Sequence, residues 1–328
     1  TQISPFKSFE EGLAMNPEIG ASLFDGTLSF RFGAVKREWG PGINNLALAG
    51  SARSFDAIEF SFVPSSKFSF SVAMGSLGKA FLAMEGEAKP IGNVNLRDCT
   101  YDNNFSIQRI EISPIQGLRL AIFESVVYRK RFELAYLNPL SIYMFAQNYI
   151  GDFDNVLAGV DISYTLNGVG RVYLALSCDE FERIVPSIFF SWARNIVAIQ
   201  GGVDIPVSFG SFGELTLQAT YIPPFYGTHY TLSNEKQPFY NGDVKIDYIN
   251  KGQPLSTPLY PDSIELLASF DTTINSNFSA NITIKDQLRS AQYSVDEKYG
   301  TTMNDHIKYS DSSNYAVKDF FSYIWNNI

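Results

Sequence analysis

The stretch VLAGVDISYTL at residues 156–166 decides the fold class, because its side chains alternate between apolar and polar. The apolar set comprises Val156, Ala158, Val160, Ile162, Tyr164 and Leu166. The other set includes Gly159, Asp161, Ser163 and Thr165. Successive side chains of a β-strand point to opposite faces, so the stretch predicts a strand with one apolar and one polar face. The polar side carries Ser, Thr and Gly where a soluble sandwich normally has Lys and Glu, which favours a membrane barrel with a polar interior.

The same alternation recurs along the whole chain. Clear examples lie at 28–34, 58–62, 68–72, 118–122, 172–176, 215–221, 264–270 and 278–285, and weaker ones at 105–112, 132–146, 184–193 and 196–205. The pattern predicts about fourteen to eighteen strands. Short links such as Asn167-Gly168 predict hairpins, because Asn-Gly accepts positive φ at low cost. An antiparallel meander that must have no exposed edge closes into a barrel, so we predict an all-β fold, a transmembrane antiparallel β-barrel.

The composition agrees with a membrane barrel. Of the 328 residues 15% are aromatic and 18% are charged, and the charged fraction lies below the usual quarter. Aromatic girdles at the two membrane interfaces would explain the excess of rings. No run of about 18 apolar residues occurs, which excludes a helical membrane protein. The net charge of -9 leaves no basic stripe for phosphates, so we expect no nucleic-acid partner.

Three regions depart from the strand pattern within what we interpret as a single domain, residues 1–328. Residues 222–262 are rich in Pro, Tyr and Asn, and they predict a long loop on the extracellular side, where barrel loops are longer. Residues 286–316 are polar and poorly periodic, which predicts a second long loop. Residues 317–328 space their apolar side chains by three to four positions, which favours a short amphipathic helix.

Arginines on the polar sides of the strands are the candidate binding residues. The alternation in 28–39 places Arg31, Arg37 and Trp39 on the side away from lipid. One interpretation is a basic, aromatic lumen patch, with Arg119 and Arg171, that grips an acidic sugar through charge-assisted hydrogen bonds. The other is structural, because unpaired charges in a confined lumen are costly. In that case Arg31, Arg37, Arg119 and Arg171 pair with Glu59, Glu133, Asp161 and Glu265.

Two motifs are interpreted as structural turns. Trp39 is followed by Gly40, Pro41 and Gly42, a rigid turn in which Pro fixes φ and Gly allows backbone shapes that other residues avoid. Asn138 and Pro139 are expected to end a strand at 132–136 and to start another near 140.

Asp152, Asp154 and Asn155 place oxygen ligands close together before the strand at 156–166. A Ca²⁺ loop would also need a distal Glu and a central Gly, which this stretch lacks. An Asx-type turn that caps Val156, built on Asp154 and Asn155, is the better interpretation, so we predict no metal.

The sequence offers little for catalysis. His229 and His306 are the only histidines and lie in separate loops, and no Gly-x-Ser-x-Gly motif joins a strand to a helix. We therefore expect neither an enzyme nor a cofactor. Cys99 and Cys178 could pair in an oxidising compartment, but nothing in the sequence brings them together.

Several segments, in order along the chain, resemble the capsule-assembly Wzi family of outer-membrane proteins and its relatives in Bacteroidetes and spirochaetes. They are FRFGAVKREWGPG at 30–42, GSARSFDAIEFSF at 50–62, RFELAYLNPL at 131–140 and GDFDNVLAGVDISY at 151–164, with a weaker segment at 254–265. The resemblance implies a barrel of about eighteen strands in the outer membrane of a Gram-negative cell, with helical material on the periplasmic side. It also implies a role in holding exported capsular polysaccharide at the cell surface.

Three functions remain open on the sequence. The first is a barrel that binds or anchors a surface polysaccharide. The second is a diffusion porin, and the third is a structural subunit of a larger envelope complex. In each case we expect outer-membrane lipid and a lipopolysaccharide-type glycolipid around the barrel, and the third adds other envelope proteins as partners.

Overall fold

The alternating segments form one large antiparallel sheet. A computed structural model of the chain describes residues 17–80, 99–129, 133–138, 140–150, 154–181, 195–208, 212–223, 226–227, 246–250, 253–259, 263–275 and 278–289. The strands within these ranges are β1 (Glu18–Leu23), β2 (Leu28–Val35), β3 (Phe55–Ser65), β4 (Phe68–Ala80), β5 (Cys99–Ile112), β6 (Leu118–Arg129), β7 (Asp154–Leu166), β8 (Gly170–Phe181), β9 (Asn195–Ser208), β10 (Phe212–Ile222), β11 (Ile249–Asn250), β12 (Gln253–Pro254), β13 (Ser263–Asn275) and β14 (Phe278–Arg289). Two helices, α1 (Leu134–Leu137) and α2 (Tyr143–Ile150), complete the described elements.

Twelve strands pair in chain order. The sheet runs from β1 through β10 to β13 and β14, and each neighbouring pair is antiparallel, while β11 and β12 form a separate short pair. Among the described residues β1 and β14 are the two edges, and no pairing between them closes the sheet. The meander predicted from the sequence is therefore present, with twelve described strands in the sheet where fourteen to eighteen were expected.

The two faces of the sheet have the composition that the alternation predicts. We call the face that carries Val160 and Ile282 the outer face. Its exposed apolar side chains include Phe30, Phe32, Ile58, Ile112, Ile122, Val160, Ile162, Val172, Leu174, Leu217, Leu266, Ile282 and Ile284. The opposite face, the inner face, buries polar side chains that include Glu59, Asp161, Ser163, Asp204, Thr216, Gln218, Thr220, Glu265 and Ser269. The outer face is thus apolar although it is exposed, unlike the exposed face of a soluble sheet, and the covered inner face carries many polar side chains.

The two ends of the sheet differ in the length of their connections. At one end, the turn end, a few residues join β1 to β2, β3 to β4, β5 to β6, β7 to β8, β9 to β10 and β13 to β14. The predicted hairpin at Asn167-Gly168 is one of these links, and Gly168 has the positive φ of 75° that such turns require. At the opposite end, the loop end, longer segments join the remaining pairs, and residues 36–54 and 223–262 are two of them.

Some sequence predictions need correction. The weak strand predicted at 132–146 is wrong, because α1 and α2 occupy that region and Asn138 is the C-cap of α1. Asp154 and Asn155 are not in a turn but open β7, paired with Tyr128 and Val127 of β6.

Other predictions meet the described residues only in part. β14 extends to Arg289, four residues into the loop predicted from residue 286. Residues 290–316, the helix predicted at 317–328, the strand predicted at 184–193, Asp152 and Pro139 lie outside the described residues. Among the described helices, neither has the length and apolar character to cross a membrane.

Candidate functional site

Residues 39–50, the first plug, fold into a closed loop after β2. The backbone N–H of Trp39 donates to the Leu48 carbonyl at 2.9 Å. The Glu38 carboxylate accepts hydrogen bonds from the backbone and side-chain N–H groups of Asn45, both at 2.7 Å, and from the Gly50 N–H at 2.8 Å. Gly40 has φ of 140°, and a Cβ there would meet the Asn45 side chain. The chain bends at Gly40 to Gly42, where the sequence predicted a rigid turn, and the hydrogen bonds of Glu38 and Asn45 hold this loop together.

The first plug lies against the inner face of β8, β9 and β10. Gln218 accepts from the Ile43 N–H at 2.9 Å and donates to the Ile43 carbonyl at 2.9 Å. Gln200 donates to the carbonyls of Ile43 and Asn44 at 3.2 Å and 3.1 Å. A Cβ on Gly42 would lie 2.5 Å from Gln218 and 2.8 Å from Tyr173, so only glycine permits this approach. Two inner-face amides therefore bind the plug backbone.

A second plug, residues 246–250 and 253–259, lies on the same face under β3 to β7. The Tyr248 hydroxyl donates to the Ser125 carbonyl at 2.6 Å and accepts from the Leu157 N–H at 3.0 Å. Burial raises the pKa of this phenol well above its ordinary value. The Asn250 amide donates to the Arg53 carbonyl at 2.8 Å and accepts from the Gly78 N–H at 3.0 Å. This part of the loop predicted at 222–262 thus folds inward.

The two plugs meet in an apolar core at the loop end. The Ala49 N–H donates to the Leu255 carbonyl at 2.9 Å, which joins the plugs directly. Buried side chains of both plugs pack with those of the strands, and the cluster includes Leu46, Leu48, Phe55, Leu77, Phe105, Phe123, Leu157, Ile222, Tyr226, Ile246, Tyr248, Leu255 and Leu259. The inner face is therefore filled with apolar side chains at its loop end.

Ion pairs occupy the inner face on the turn-end side of this core. Arg109 pairs with Asp161, to which its second guanidinium nitrogen donates at 3.0 Å. Arg171 donates to Asp204 at 2.6 Å. Its guanidinium also lies 5.3 Å from the centroid of the Tyr173 ring, within cation–π range. Asp204 additionally accepts from the Thr216 hydroxyl at 2.8 Å.

The predicted arginines are paired, although their partners mostly differ from those expected. Arg37 donates to Glu59 at 3.0 Å, as in the structural interpretation, and it also pairs with Glu18. Arg31 lies 3.9 Å from Glu18. Arg119 lies 3.9 Å from Glu111, and Arg171 pairs with Asp204.

The predicted carboxylates have other partners too. Asp161 pairs with Arg109, a residue that the sequence prediction missed. Glu265 lies 4.0 Å from Lys285 of β14 and accepts from Gln287 at 2.6 Å. Both of these acids therefore pair with cations other than the four arginines that the structural interpretation named.

Arg119 and Arg171 are brought together, with hydroxyl groups between them. They lie on β6 and β8, and their partners on the intervening β7 are Ser163 and Thr165. Their side chains are 65% and 35% exposed. One strand, β7, separates the arginines, so their backbones lie two inter-strand spacings, roughly 10 Å, apart across the sheet. We call Arg119, Ser163, Thr165 and Arg171 the arginine patch. Arg31 and Arg37 lie far along the sheet, on and just after β2.

The remaining predicted residues have structural surroundings. The Tyr136 hydroxyl donates to Asp154, which is buried, and the Asn155 carbonyl lies 3.1 Å from the Tyr248 hydroxyl. The Asn138 side chain accepts from the Leu140 N–H at 3.1 Å. Pro41 is buried within the first plug. In the described part of the chain, no three His, Cys, Asp or Glu side chains group as a metal site would need.

Comparison with known proteins gives a relationship in structure rather than in sequence. No family model matches the chain, and no curated protein matches it. Among solved structures it is similar to Wzi of Escherichia coli, described as an outer-membrane protein involved in group 1 capsule assembly and as a carbohydrate-binding β-barrel. The TM-score is 0.56 at 15% sequence identity, over 84% of this chain and 57% of that one. The chain thus spans less than two thirds of Wzi, and it has a Wzi-like fold.

Proposed function

We propose that the protein is an outer-membrane β-barrel that binds a surface polysaccharide at the inner face, without catalysis. The observation that carries the proposal is the arginine patch on the polar inner face, in which Arg119 is exposed, Arg171 is half-buried and paired with Asp204, and hydroxyl groups lie between the two arginines. Arg guanidinium groups bind carboxylates and phosphates through paired, charge-assisted hydrogen bonds. The ligand that fits is therefore an acidic polysaccharide.

The outer face supports placement in a membrane. Its exposed apolar side chains extend from β1 to β14, far beyond the isolated apolar residues of a soluble surface. Barrels of the outer membrane have short periplasmic turns and longer extracellular loops. The turn end would then face the periplasm, and the loop end with both plugs would face the outside. The arginine patch lies towards the turn end, so the polysaccharide would reach it from the periplasmic side.

The plugs favour a binding protein over a diffusion porin. Gln200 and Gln218 hydrogen-bond the first plug to the inner face of the sheet, and Tyr248 does the same for the second plug. An apolar core joins the two plugs, so the described part of the loop end is filled with apolar side chains. A porin, in contrast, keeps a water-filled channel.

Binding to the producing cell's own acidic polysaccharide tests the proposal. We expect Arg119→Ala combined with Arg171→Lys to abolish binding measured by calorimetry, because one cation is lost and the other loses its forked geometry. Lys285→Ala is the matched control, since it removes an inner-face cation on β14. Heat-modifiable gel mobility verifies folding. The proposal would be contradicted if the wild-type protein did not bind the polysaccharide, or if the double variant bound it as tightly as the wild type.

Single-channel conductance tests whether the two plugs close the loop end to ions. We expect the wild-type protein to be silent in planar bilayers, and Gly42→Val to produce single-channel steps, because the new side chain would displace Gln218 and Tyr173 and unseat the first plug. Gly201→Ala is the control, since a Cβ there makes only ordinary contacts, at 3.4 Å and 3.5 Å. Large steps from the wild type would favour the porin.

A further inference from the structure

The α1–α2 segment, residues 133–138 and 140–150, packs on the outer face and not inside the sheet. Tyr136 and Tyr143 are buried against Val126, Tyr128 and Val156, which belong to the outward-facing sets of β6 and β7. The Tyr128 and Tyr136 rings lie 5.0 Å apart, and those of Tyr136 and Tyr143 lie 5.5 Å apart. We call this segment the ledge. It lies towards the loop end on the outer face of the sheet, which we call the wall.

Two polar side chains of the outer face attach this ledge. The Glu124 carboxylate accepts from the backbone N–H groups of Tyr143 and Met144, both at 2.9 Å, and so caps the first turn of α2. Gln108 donates to the Ser141 carbonyl at 2.7 Å and to Glu124 at 3.2 Å. The polar atoms of Gln108 and Glu124 are thus engaged with the ledge.

A groove of about 870 Å³ lies between the ledge and the wall. It is lined by apolar side chains that include Phe70, Ile110, Val160 and Leu176 of the wall and Leu140 and Ile142 of the ledge. Leu140 is 89% exposed and Ile142 is 51% exposed. The groove is continuous with the apolar outer face, because Ile110, Val160 and Leu176 also line the neighbouring depression beside Ile162 and Leu174.

We infer that this groove holds an acyl chain of a membrane lipid, an inference that rests on the proposed placement of the outer face in a bilayer. A site for a polar ligand would present polar groups that orient it. Here Gln108 and Glu124 already bind the ledge, and an acyl chain needs no hydrogen-bonding partner. The exposed Leu140 and Ile142 would leave water for the same apolar surroundings.

Photo-crosslinking in nanodiscs tests the inference. The probe is a phospholipid with a diazirine on its acyl chain, and mass spectrometry maps the adducts on the protein. We expect adducts to concentrate on Leu140, Ile142 and the groove-lining part of β7. Val160→Trp and, separately, Leu176→Trp should fill the groove, so that the adducts on Leu140 and Ile142 are lost. Leu266→Trp is the control, since Leu266 is an exposed outer-face residue that does not line the groove.

The outcomes separate this inference from the proposed function. Adducts spread evenly over the outer face, with no loss in Val160→Trp or Leu176→Trp, would contradict the inference that the groove holds an acyl chain. They would still agree with placement of the protein in the bilayer. Adducts nowhere on the outer face of a folded protein would overturn the membrane placement itself. Crosslinks from the groove to a second protein chain would show that a protein occupies it, and would equally overturn the inference.

Discussion

Arg109 and Arg119 lie on the inner face of adjacent strands, but their environments differ. Arg109 is 10% exposed and meets an Asp161 carboxylate that is 5% exposed. Arg119 is 65% exposed, and its nearest carboxylate oxygen, on Glu111, is 3.9 Å away. Loss of one partner from a buried pair leaves an uncompensated charge, whereas exposed pairs contribute little.

We expect Arg109→Ala to lower the free energy of unfolding by about 3–5 kcal/mol, because it strands Asp161. Arg119→Ala should change the same quantity by only about 0–1 kcal/mol. Urea titration followed by gel mobility in detergent measures both. Equal losses in the two variants would contradict the assigned burial.

Of the two interpretations of the arginines, the structural one expected them to be paired, but Asp161 and Glu265, which it named as partners, pair with other residues. Alternation assigns Arg171 and Asp204 to the polar sides of their strands, yet only the register of β8 against β9 sets them side by side. The role of Gln200 and Gln218 was harder to predict from the sequence, because a Gln side chain on the inner face can either fill space or hydrogen-bond to the backbone of another segment. The backbone that they bind belongs to the first plug, which lies more than 150 residues earlier in the chain.

At the scale of the strand, β14 offers neighbouring residues on opposite faces. Ile282 and Thr283 are both exposed, but Ile282 faces outward and Thr283 inward. We expect Ile282→Arg, like Val160→Arg on β7, to lower stability in lipid by about 2–4 kcal/mol near the midplane. Thr283→Arg should cost far less because its face is polar. Unfolding in lipid vesicles measures the difference, and equal tolerance on both faces would refute the membrane placement.

Strands were easier to predict than the ledge. The alternation indicated both faces of β2, β3, β7, β8, β10, β13 and β14, because each strand carries its own pattern. Residues 132–146 have aromatic and branched side chains that fit a strand equally well. Their helical state depends on Glu124, which caps α2 from another element, so no local pattern indicates it.

At the scale of the whole molecule, the two edges must find partners if the sheet lies in lipid. Every unpaired backbone group in hydrocarbon costs several kcal/mol, so spanning sheets close. β1 and β14 keep the alternation of the interior strands, with Ser22 and Asn281 on the inner face. The strand count could not be predicted from sequence, because each barrel strand gives a weak signal and the plugs resemble ordinary loops.

We expect β1 and β14 to pair with each other. In a protein with Cys99→Ser and Cys178→Ser, Ser22→Cys should crosslink through a short thiol reagent to at least one of Ser279→Cys, Asn281→Cys or Thr283→Cys. Ser22→Cys with Thr216→Cys is the control, since β10 lies two strands inside the β14 edge. Crosslinks at none of the three β14 positions, in a protein that folds, would show that other partners cover the edges.

The two plugs also constrain the order in which parts of the chain can fold. Ile43 bonds to Gln218 across 175 residues, and Asn250 bonds to Arg53 across 197. Contacts between distant parts of a chain form slowly, because loop closure must precede them. Residues 39–50 can therefore dock only after β9 and β10 have formed. If β1 and β14 pair as proposed, residues 246–250 must dock before that pairing closes the sheet. We therefore expect the contacts of both plugs to form late in folding, and until then the apolar side chains of their shared core stay exposed.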